Sequence, residues 1–408
     1  MQFNYTGVNE DGDKVTGRIY AREKKHAIIR LSEKNIVIIK IEEGSDTQSR
    51  RHKVRQSIFS KSLSLDDFIV FSLQMKTLMH GGVSLNNAIS GMTQFVSNPT
   101  FKAILKDVVS RIEAGFTMTD ALSEHRDYIP PVMLGIIQAG EMTGDLEGAF
   151  ERLARYFEKE KDTRQKISNV IRYPIIVSIV SVVAMLVMNT VVIPTFSGVF
   201  DHYGAELPLL TRILIESSNF IIGNMEMITV LAGLAFLWVR HYLRTAEGRF
   251  LWDSWKLRLP LFGPLIHQAI LGRLCYAISM LFSSRIPIVE GLTVAAGTTG
   301  NAYFEKKVKQ LANDLERGMS LTTASSSSGL FHPLAMQMMS AGETTGRLDD
   351  TMARVAYYYD KQIDQEIKQI SERFEPIVLI AVGIVVLVLA LGIFVPLWDM
   401  SAVMTGGA

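Results

Sequence analysis

The sequence predicts an all-α membrane protein with two repeated six-helix cytoplasmic bundles and three transmembrane helices, preceded by a small N-terminal ββαβ module. Two stretches of this 408-residue chain contain no charged side chain, one between Arg172 and Asp201 and the other between Glu375 and Asp399. Each stretch is longer than the roughly 20 residues that a helix needs to cross a bilayer. A repeated motif and a strand-like region at the N-terminus complete the prediction.

The N-terminal region, residues 1–45, differs in pattern from the rest of the chain. Phe3, Tyr5 and Val8 precede a turn sequence at 10–13, and the apolar alternation resumes at Val15, which is typical of a hairpin. A helical pattern over 21–32 and an apolar run over 36–41 follow. These features predict the ββαβ module, and the polar residues of 46–63 predict a linker.

One eight-residue segment, Ala139–Leu146, returns 202 residues later as Ala341–Leu348, and both copies contain Ala-Gly-Glu-x-Thr-Gly. Further residues recur at an offset of 203 or 202, namely Leu78 and Leu281, Val83 and Ile286, Gly115 and Gly318, Pro131 and Pro333, Tyr156 and Tyr358, Pro174 and Pro376, and Pro194 and Pro396. This regularity indicates a duplication. Within the motif, Ala-Gly allows two helices to approach closely, Thr-Gly forms a turn, and the glutamate can hydrogen-bond a neighbouring helix end.

Capping residues and helical spacing of apolar residues predict where the first bundle begins. Ser64 and Asp67 have the spacing of a capping box, while Phe68, Phe71 and Met75 recur at helical spacing. The complete division of the chain is a first bundle at 64–172, transmembrane helices at 173–197, 220–239 and 376–398, a second bundle at 240–375, a periplasmic loop at 198–219 and a periplasmic tail at 399–408.

Charge predicts the orientation of the chain. Residues 155–172 carry six basic and three acidic side chains, whereas the loop 198–219 carries one basic and three acidic. By the positive-inside bias, the bundles and the N-terminus are cytoplasmic and the C-terminus is periplasmic. The span 220–239 is required for the chain to return, and its Glu226 lies near the outer end.

Composition argues against several functions. The net charge of +1 provides no basis for nucleic-acid binding, and Cys275 is the single cysteine, so no intramolecular disulfide is expected. The chain has no Gly-x-x-x-x-Gly-Lys-[Ser/Thr] phosphate loop, and we predict that it is not an enzyme. A solute transporter is the rival class; Asn189 and Glu226 are the polar residues that would serve it.

The motif also suggests a possible metal site. Glu141 and Asp145 could supply half of an oxygen-ligand site for a divalent cation, although two carboxylates alone are weak evidence. The second copy has Arg347 where the first has Asp145, so any such site belongs to the first copy.

Paired bundles with this motif, Tyr-Pro before the apolar span and Ile-Pro or Val-Pro at its end resemble the GspF/PilC family over nearly the whole chain. The resemblance implies an inner-membrane platform of a type II secretion or type IV pilus machine. It implies a cytoplasmic hexameric ATPase, pilins, inner-membrane alignment proteins and further copies of the chain as partners. It further implies a calcium site in the first bundle at Glu141, Asp145 and Asn87, the last as a neutral ligand.

Three strings, Ala205–Pro208, Trp252–Pro260 and Ala390–Met400, are similar to platforms of the mannose-sensitive haemagglutinin (MSHA) pilus. Platform activity for MSHA-type pili is therefore the expected function, and a type II secretion platform is the alternative within the family. The charged stretch Asp360–Glu375, next to the last span, is more often a solvated helix face, but it is also a suitable place to receive force from the ATPase.

Overall fold

The structure is a computed structural model that describes residues 2–8, 13–20, 24–33, 35–43, 62–187 and 223–405. The predicted turn at 10–12, most of the linker, the end of the first span with Asn189, the periplasmic loop and residues 406–408 lie outside the described residues. The chain divides into two compact units, and both bundles contribute to the first. Unit 1 comprises Met1–Asp162, Ile270–Gly300 and Phe304–Tyr358; unit 2 comprises Thr163–Ala269, Asn301–Tyr303 and Tyr359–Ala408.

The N-terminal module contains the predicted elements in the predicted order: β1 (Gln2–Val8), β2 (Lys14–Tyr20), α1 (Lys24–Glu33) and β3 (Val37–Glu43). Its three strands form an antiparallel sheet in the order β2-β1-β3, with an irregularity in the β1–β3 register between Thr6 and Gly7. Phe3, Ala27 and Leu31 are buried between the sheet and α1. This small core holds α1 against the sheet.

The first copy of the repeat contains six helices. They are α2 (Leu65–His80), α3 (Leu85–Phe95), α4 (Pro99–Glu113), α5 (Met118–Ser123), α6 (Pro131–Thr143) and α7 (Leu146–Val187). The capping box at the start of α2 is confirmed, since Ser64 N donates to Asp67 Oδ2 at 2.9 Å and Asp67 N donates to Ser64 Oγ at 3.2 Å. Three fully buried rings, Phe71, Phe101 and Phe150, pack edge to face and join α2, α4 and α7.

Before the second copy lie α8 (Met225–Tyr242) and α9 (Ala246–Lys256). The second copy contains α10 (Gly263–Ser283), α11 (Ile288–Ala296), α12 (Ala302–Glu316), α13 (Leu321–Ser328), α14 (Pro333–Thr345) and α15 (Leu348–Thr405). The starts of α4 and α12 differ by 203 residues, and those of α6 and α14 by 202. The starts of α5 and α13 also differ by 203 residues, so the single-residue change in offset falls between the start of the fourth helix and the start of the fifth.

Within unit 1 the two copies contact each other directly. The rings of Tyr156 and Tyr276 stack with centroids 6.1 Å apart, and Arg273 Nε lies 2.6 Å from Glu160 Oε2 in a largely buried ion pair. A Cβ on Gly135 would lie about 3.0 Å from Leu281 and 3.1 Å from Val294, so the glycine permits close contact between α6 and the second copy. Cys275 is also buried in this unit, as expected for a small core residue.

Unit 2 brings together the segments of α7 and α15 that precede their apolar stretches. Its core contains Leu265, Ala269, Ile363 and Ile370, with Ile167, Val170, Phe262, Ile367 and Phe374 packed against them. Lys166 Nζ lies 2.9 Å from Asp364 Oδ1, which connects the two long helices by an ion pair as well. The charged stretch of α15 is thus only partly a solvated face.

Both long helices are continuous where the sequence predicts a boundary. Pro174 lies inside α7, and Pro376 lies inside α15, although proline lacks the amide that would donate to the preceding turn. The domain boundaries predicted at 172–173 and 375–376 therefore fall inside continuous helices, and the membrane spans stay a prediction. Before each proline the helix packs in the core of unit 2, through Val170 on α7 and Phe374 on α15.

Among the described residues, two helical segments are long and apolar enough to cross a membrane by length and composition. They are Leu146–Ala184, of whose apolar window no residue is buried, and Gly263–Ser283, whose window is 56 % buried. The second is the core helix α10 of the duplicated fold. The predicted spans at 220–239 and 376–398 coincide with parts of α8 and α15.

An acidic residue of α4 provides a pH-dependent contribution to the stability of the first copy. Asp107 Oδ2 lies 2.8 Å from Arg111 Nε and 2.9 Å from His125 Nε2. Burial raises the pKa of Asp107, but the His125 and Arg111 hydrogen bonds and charges outweigh it and lower the pKa from 3.8 to about 2. The second copy has no acid at the matched position, Gln310.

We predict that Asp107→Asn lowers the free energy of unfolding at pH 6 by about 1–3 kcal/mol, because one pKa unit corresponds to about 1.4 kcal/mol. The stabilisation by a carboxyl with a lowered pKa is present above its unfolded pKa and is lost as pH falls towards 2. Chemical unfolding of the detergent-solubilised protein at pH 6 and pH 3 checks this. The wild-type protein should lose more stability between these pH values than Asp107→Asn, whereas the exposed Asp66→Asn control should match the wild type.

Candidate functional site

The repeated motif forms the end of one helix and the turn into the next. In the first copy α6 ends at Thr143, Gly144 adopts a left-handed conformation with φ 72°, and α7 begins at Leu146. In the second copy α14 ends at Thr345 and Gly346 has φ 70°. Thr143 Oγ1 and Thr345 Oγ1 each donate to a carbonyl four residues earlier at 2.8 Å. The predicted Thr-Gly turn is confirmed, and positive φ is the reason for its glycine.

The first glycine of the motif makes the close helix approach that the sequence predicts. A Cβ on Gly140 would lie 2.7 Å from Ala149 Cβ on α7. A Cβ on Gly342 would lie 2.7 Å from Thr351 Cβ on α15. Both distances are too short for real side chains, so each copy needs glycine here for its long helix to pack against the helix before the turn.

The glutamate of each motif binds the N-terminus of the fourth helix in its own copy. Glu141 accepts hydrogen bonds from Met118 N at 2.5 Å, Thr119 N at 3.0 Å and Thr119 Oγ1 at 2.5 Å. Glu343 accepts the matched set from Leu321 N at 2.6 Å, Thr322 N at 3.0 Å and Thr322 Oγ1 at 2.6 Å. The predicted contact with a neighbouring helix end is therefore present in both copies.

In the second copy, the chemistry of this contact favours an ionised Glu343 carboxylate. The first amides of a helix have no partner within the helix and carry partial positive charge, so they stabilise an anion. Burial opposes ionisation of Glu343, but the hydrogen bonds from Thr322 and Leu321 outweigh it and hold the pKa of Glu343 below its ordinary value. Without Glu343 the part-buried amides of Leu321 and Thr322 would lose their side-chain acceptor, so the glutamate stabilises the start of α13.

Asp145 has a structural role that its counterpart Arg347 cannot share. Its Oδ1 accepts a hydrogen bond from Gly148 N at 2.9 Å, which caps the start of α7, and its Oδ2 lies 3.3 Å from Arg152 Nη2. A Cβ on Gly148 would clash with the Asp145 carboxylate. The difference between the copies is thus a side-chain cap in the first and none from Arg347 in the second.

These contacts do not fit the calcium site that the resemblance implies at Glu141, Asp145 and Asn87. Both oxygens of Glu141 face N–H or O–H donors, whereas Ca²⁺ takes about six to eight oxygen ligands. Asn87 is exposed on α3. In the part of the chain that the structure describes, no group of three or more His, Cys, Asp or Glu side chains is placed to hold a metal ion. Calcium binding at these residues stays a prediction.

The sequence did not identify the partners of the motif glutamate. Thr119 and Thr322 occupy matched places in the two copies, at an offset of 203. That recurrence is the signal that could have found them. A second missed residue is Asp253 on α9, which accepts a hydrogen bond from Ala302 N at 2.9 Å at the start of α12. The residues 203 and 202 positions before Asp253 are Arg50 and Arg51, neither of which is acidic. Comparison of the two copies could therefore not reveal Asp253.

Fold and site together define a class: a duplicated helical protein in which each copy fixes one long, partly apolar helix at a glutamate-capped turn. Comparison with known families agrees with this class. The family model for type II secretion system (T2SS) protein F matches residues 71–194 and again residues 274–396. The chain belongs to this family, which includes the GspF and PilC proteins.

Several full-length relatives are similar to this chain. The type IV pilus assembly protein PilC of Thermus thermophilus is 31 % identical over 398 residues, which are 97 % of each chain. The type IV pilus assembly protein TapC of Aeromonas hydrophila is 27 % identical over 98 % of this chain and 95 % of its own length. Type II secretion system protein F of Pseudomonas aeruginosa is 27 % identical over 98 % of both.

We predict that Gly140→Ala destabilises the protein by about 1–3 kcal/mol, because its methyl group would overlap Ala149. The matched control is Gly91→Ala in α3, where a Cβ meets no atom within 4 Å. This control should be neutral or stabilising by up to about 1 kcal/mol, since alanine is the better helix former. The free energy of unfolding in detergent measures both. Equal effects of the two substitutions would contradict the close packing at Gly140.

We predict that Glu141→Ala and Glu343→Ala each lower the free energy of unfolding by about 1–3 kcal/mol, because two amides lose their acceptor. Each measurement is made with calcium and again with a chelator. The hydrogen bonds predict the same loss in both buffers and in both copies. A loss at Glu141 that requires calcium, with none at Glu343, would instead support the calcium site.

Proposed function

We propose that this protein is the inner-membrane platform of a type IV pilus assembly machine, and specifically of an MSHA-type pilus. The observation that carries the proposal is similarity over 97 % of both chains to a type IV pilus assembly protein. The strings Ala205–Pro208, Trp252–Pro260 and Ala390–Met400 support the MSHA assignment. No catalytic residue is assigned, because the platform uses energy from a separate ATPase.

In this proposal a cytoplasmic hexameric ATPase moves the bundles, and the long helices transmit the motion to pilins in the membrane. Three contacts support the transmission. The Glu141 and Glu343 caps fix α7 and α15 to their own bundles, and the Lys166–Asp364 ion pair joins the two helices beside the apolar core of unit 2. A displacement of either bundle would therefore reach both apolar segments.

The proposed topology has the N-terminus in the cytoplasm and the C-terminus in the periplasm, with spans at 173–197, 220–239 and 376–398. The exposed apolar side chains of α8, such as Leu234 and Leu237, support a lipid environment. Alignment proteins of the inner membrane and further copies of this chain complete the proposed assembly. A reporter enzyme that is active only in the periplasm should be active when it is fused at residue 210 or at the C-terminus. An inactive fusion at either position would contradict the topology.

A second candidate is a type II secretion platform, which the 27 % identity to a type II secretion protein F over 98 % of both chains favours. Deletion of the gene followed by complementation separates the two. Our proposal expects loss of surface pili, visible by electron microscopy, with normal export of secreted enzymes. Loss of enzyme secretion with pili intact would establish the alternative, and loss of solute uptake alone would establish a transporter.

We predict that Lys361→Glu, Glu366→Lys and Lys368→Glu reduce the number of pili about tenfold, equivalent to a coupling change of about 1.4 kcal/mol, while the unfolding temperature stays unchanged. Lys368 is 79 % exposed, so reversal there leaves the core intact. The matched control is Lys309→Glu on α12, which is 53 % exposed and also has a glutamate four residues away. Normal piliation in all three variants would rule out force entry at this stretch.

A further inference from the structure

Helix α9 exposes an apolar stripe that its own unit does not cover. Leu251 is 56 % exposed, Trp252 is 42 % exposed and Trp255 is 53 % exposed. The two indole rings stack with centroids 5.4 Å apart. At 3.6 residues per turn these three side chains occupy one contiguous face, which we call the α9 stripe. A contiguous patch of exposed apolar side chains is typical of a surface that binds a membrane or another protein.

The opposite face of α9 is held in place, so the stripe has a defined direction. Asp253 is buried, and its carboxylate accepts hydrogen bonds from Ala302 N at 2.9 Å and Lys256 Nζ at 2.8 Å. Asn301 Nδ2 also donates to the Asp253 carbonyl at 3.1 Å. Rotation of α9 would break these bonds. The tryptophans therefore face outward because the other side of the helix is anchored.

The residues around the stripe match the chemistry of an anionic membrane surface. Only Leu243–Thr245 separate α9 from α8, whose end carries a stacked pair of exposed aromatic residues, Trp238 and Tyr242, 5.8 Å apart. Five basic side chains accompany them: Arg240, Arg244, Arg249, Lys256 and Arg258. Lys256 Nζ also lies 5.6 Å from the centre of the Trp252 ring. Tryptophan and tyrosine with clustered arginine and lysine are typical of the lipid headgroup region.

A protein partner fits this surface less well. Three half-exposed side chains offer on the order of 300 Å² of apolar area, whereas a stable interface needs about 800 Å² from each partner. Partial insertion into lipid requires no such area, because each apolar side chain that leaves water contributes its own transfer free energy. Each nearby cation adds about 1 kcal/mol to the free energy of binding at an anionic surface.

We propose that α9 lies in the headgroup region of the cytoplasmic leaflet, with Leu251, Trp252 and Trp255 inserted towards the acyl chains and with Arg244 and Arg258 at anionic lipid phosphates. The proposal rests on the proposed function in one respect, that α8 crosses the membrane. It assigns to α9 a separate task. Through Asp253, the helix holds the start of α12 at a set depth beside the bilayer.

Site-directed spin labelling tests the insertion. The single cysteine, Cys275, is buried, so a Cys275→Ala background accepts one label at a chosen position. The labelled positions are Leu251→Cys on the stripe, Leu234→Cys on α8 as the membrane reference, and Asn313→Cys on α12 as the aqueous reference. The full chain is reconstituted in phosphatidylethanolamine–phosphatidylglycerol vesicles. Accessibility to oxygen and to a neutral nickel chelate is then measured.

The label at Leu251 should have an oxygen-to-nickel accessibility ratio several-fold above Asn313 and below Leu234. A ratio equal to that of Asn313 would place the stripe in water. A label inaccessible to both reagents would place it under protein, and either result would overturn the proposal. If Leu234 itself gives the aqueous ratio, then the membrane span of α8 has failed, which is a failure of the proposed function rather than of this inference alone.

A charge test addresses the lipid class. Arg244→Glu with Arg258→Glu should lower the ratio at Leu251 in phosphatidylglycerol-containing vesicles and have little effect in pure phosphatidylcholine. The matched control, Arg317→Glu at the exposed end of α12, should change neither. Equal effects of the double variant in the two lipids would refute the attraction to anionic headgroups.

Discussion

The hydrogen bonds between one glutamate and the start of one short helix determine how each copy of this fold is built. Glu141 and Glu343 lie near the end of the fifth helix of their copies. Their carboxylates accept hydrogen bonds from the backbone amides at the start of the fourth helix. Because a carboxylate stabilises two amides without partners, the two helices must stay in register. The next residues turn through a left-handed glycine, so the direction of α7 and α15 follows from that register.

The long helices extend this constraint away from the glutamates. Gly140 and Gly342 bring each helix close to the one before it, and the two helices then share an apolar core and the Lys166–Asp364 ion pair in unit 2. Neither helix is interrupted at Pro174 or Pro376, so the packed and the apolar parts form one continuous element. Such continuity supports the proposed transmission of motion from the bundles to the membrane.

Comparison of the two copies divides the contacting residues into those that keep their contacts in both copies and those that occur in one copy alone. The glutamate, its threonine partner and both glycines keep the same contacts in both copies. Asp145 and Arg347 differ, and the Asp107 network with Arg111 and His125 belongs to the first copy alone. The residues that both copies keep are those whose removal leaves backbone amides without acceptors or helices in collision. Asp107 can differ between the copies because its partners differ as well: Asp314 and Ser328 stand in the second copy where the first has Arg111 and His125.

Sequence by itself determined the N-terminal ββαβ module, the duplication with its one-residue change of offset, the capping box at Ser64 and the Thr-Gly turns. These depend on local periodicity, on backbone conformation or on comparison of the two copies, all of which a sequence contains. Tertiary structure alone decided which amides the motif glutamate binds, the pairing of Asp253 with the start of α12, and the outward direction of Trp252 and Trp255. Those contacts join residues far apart in the chain, and their geometry depends on how whole helices pack.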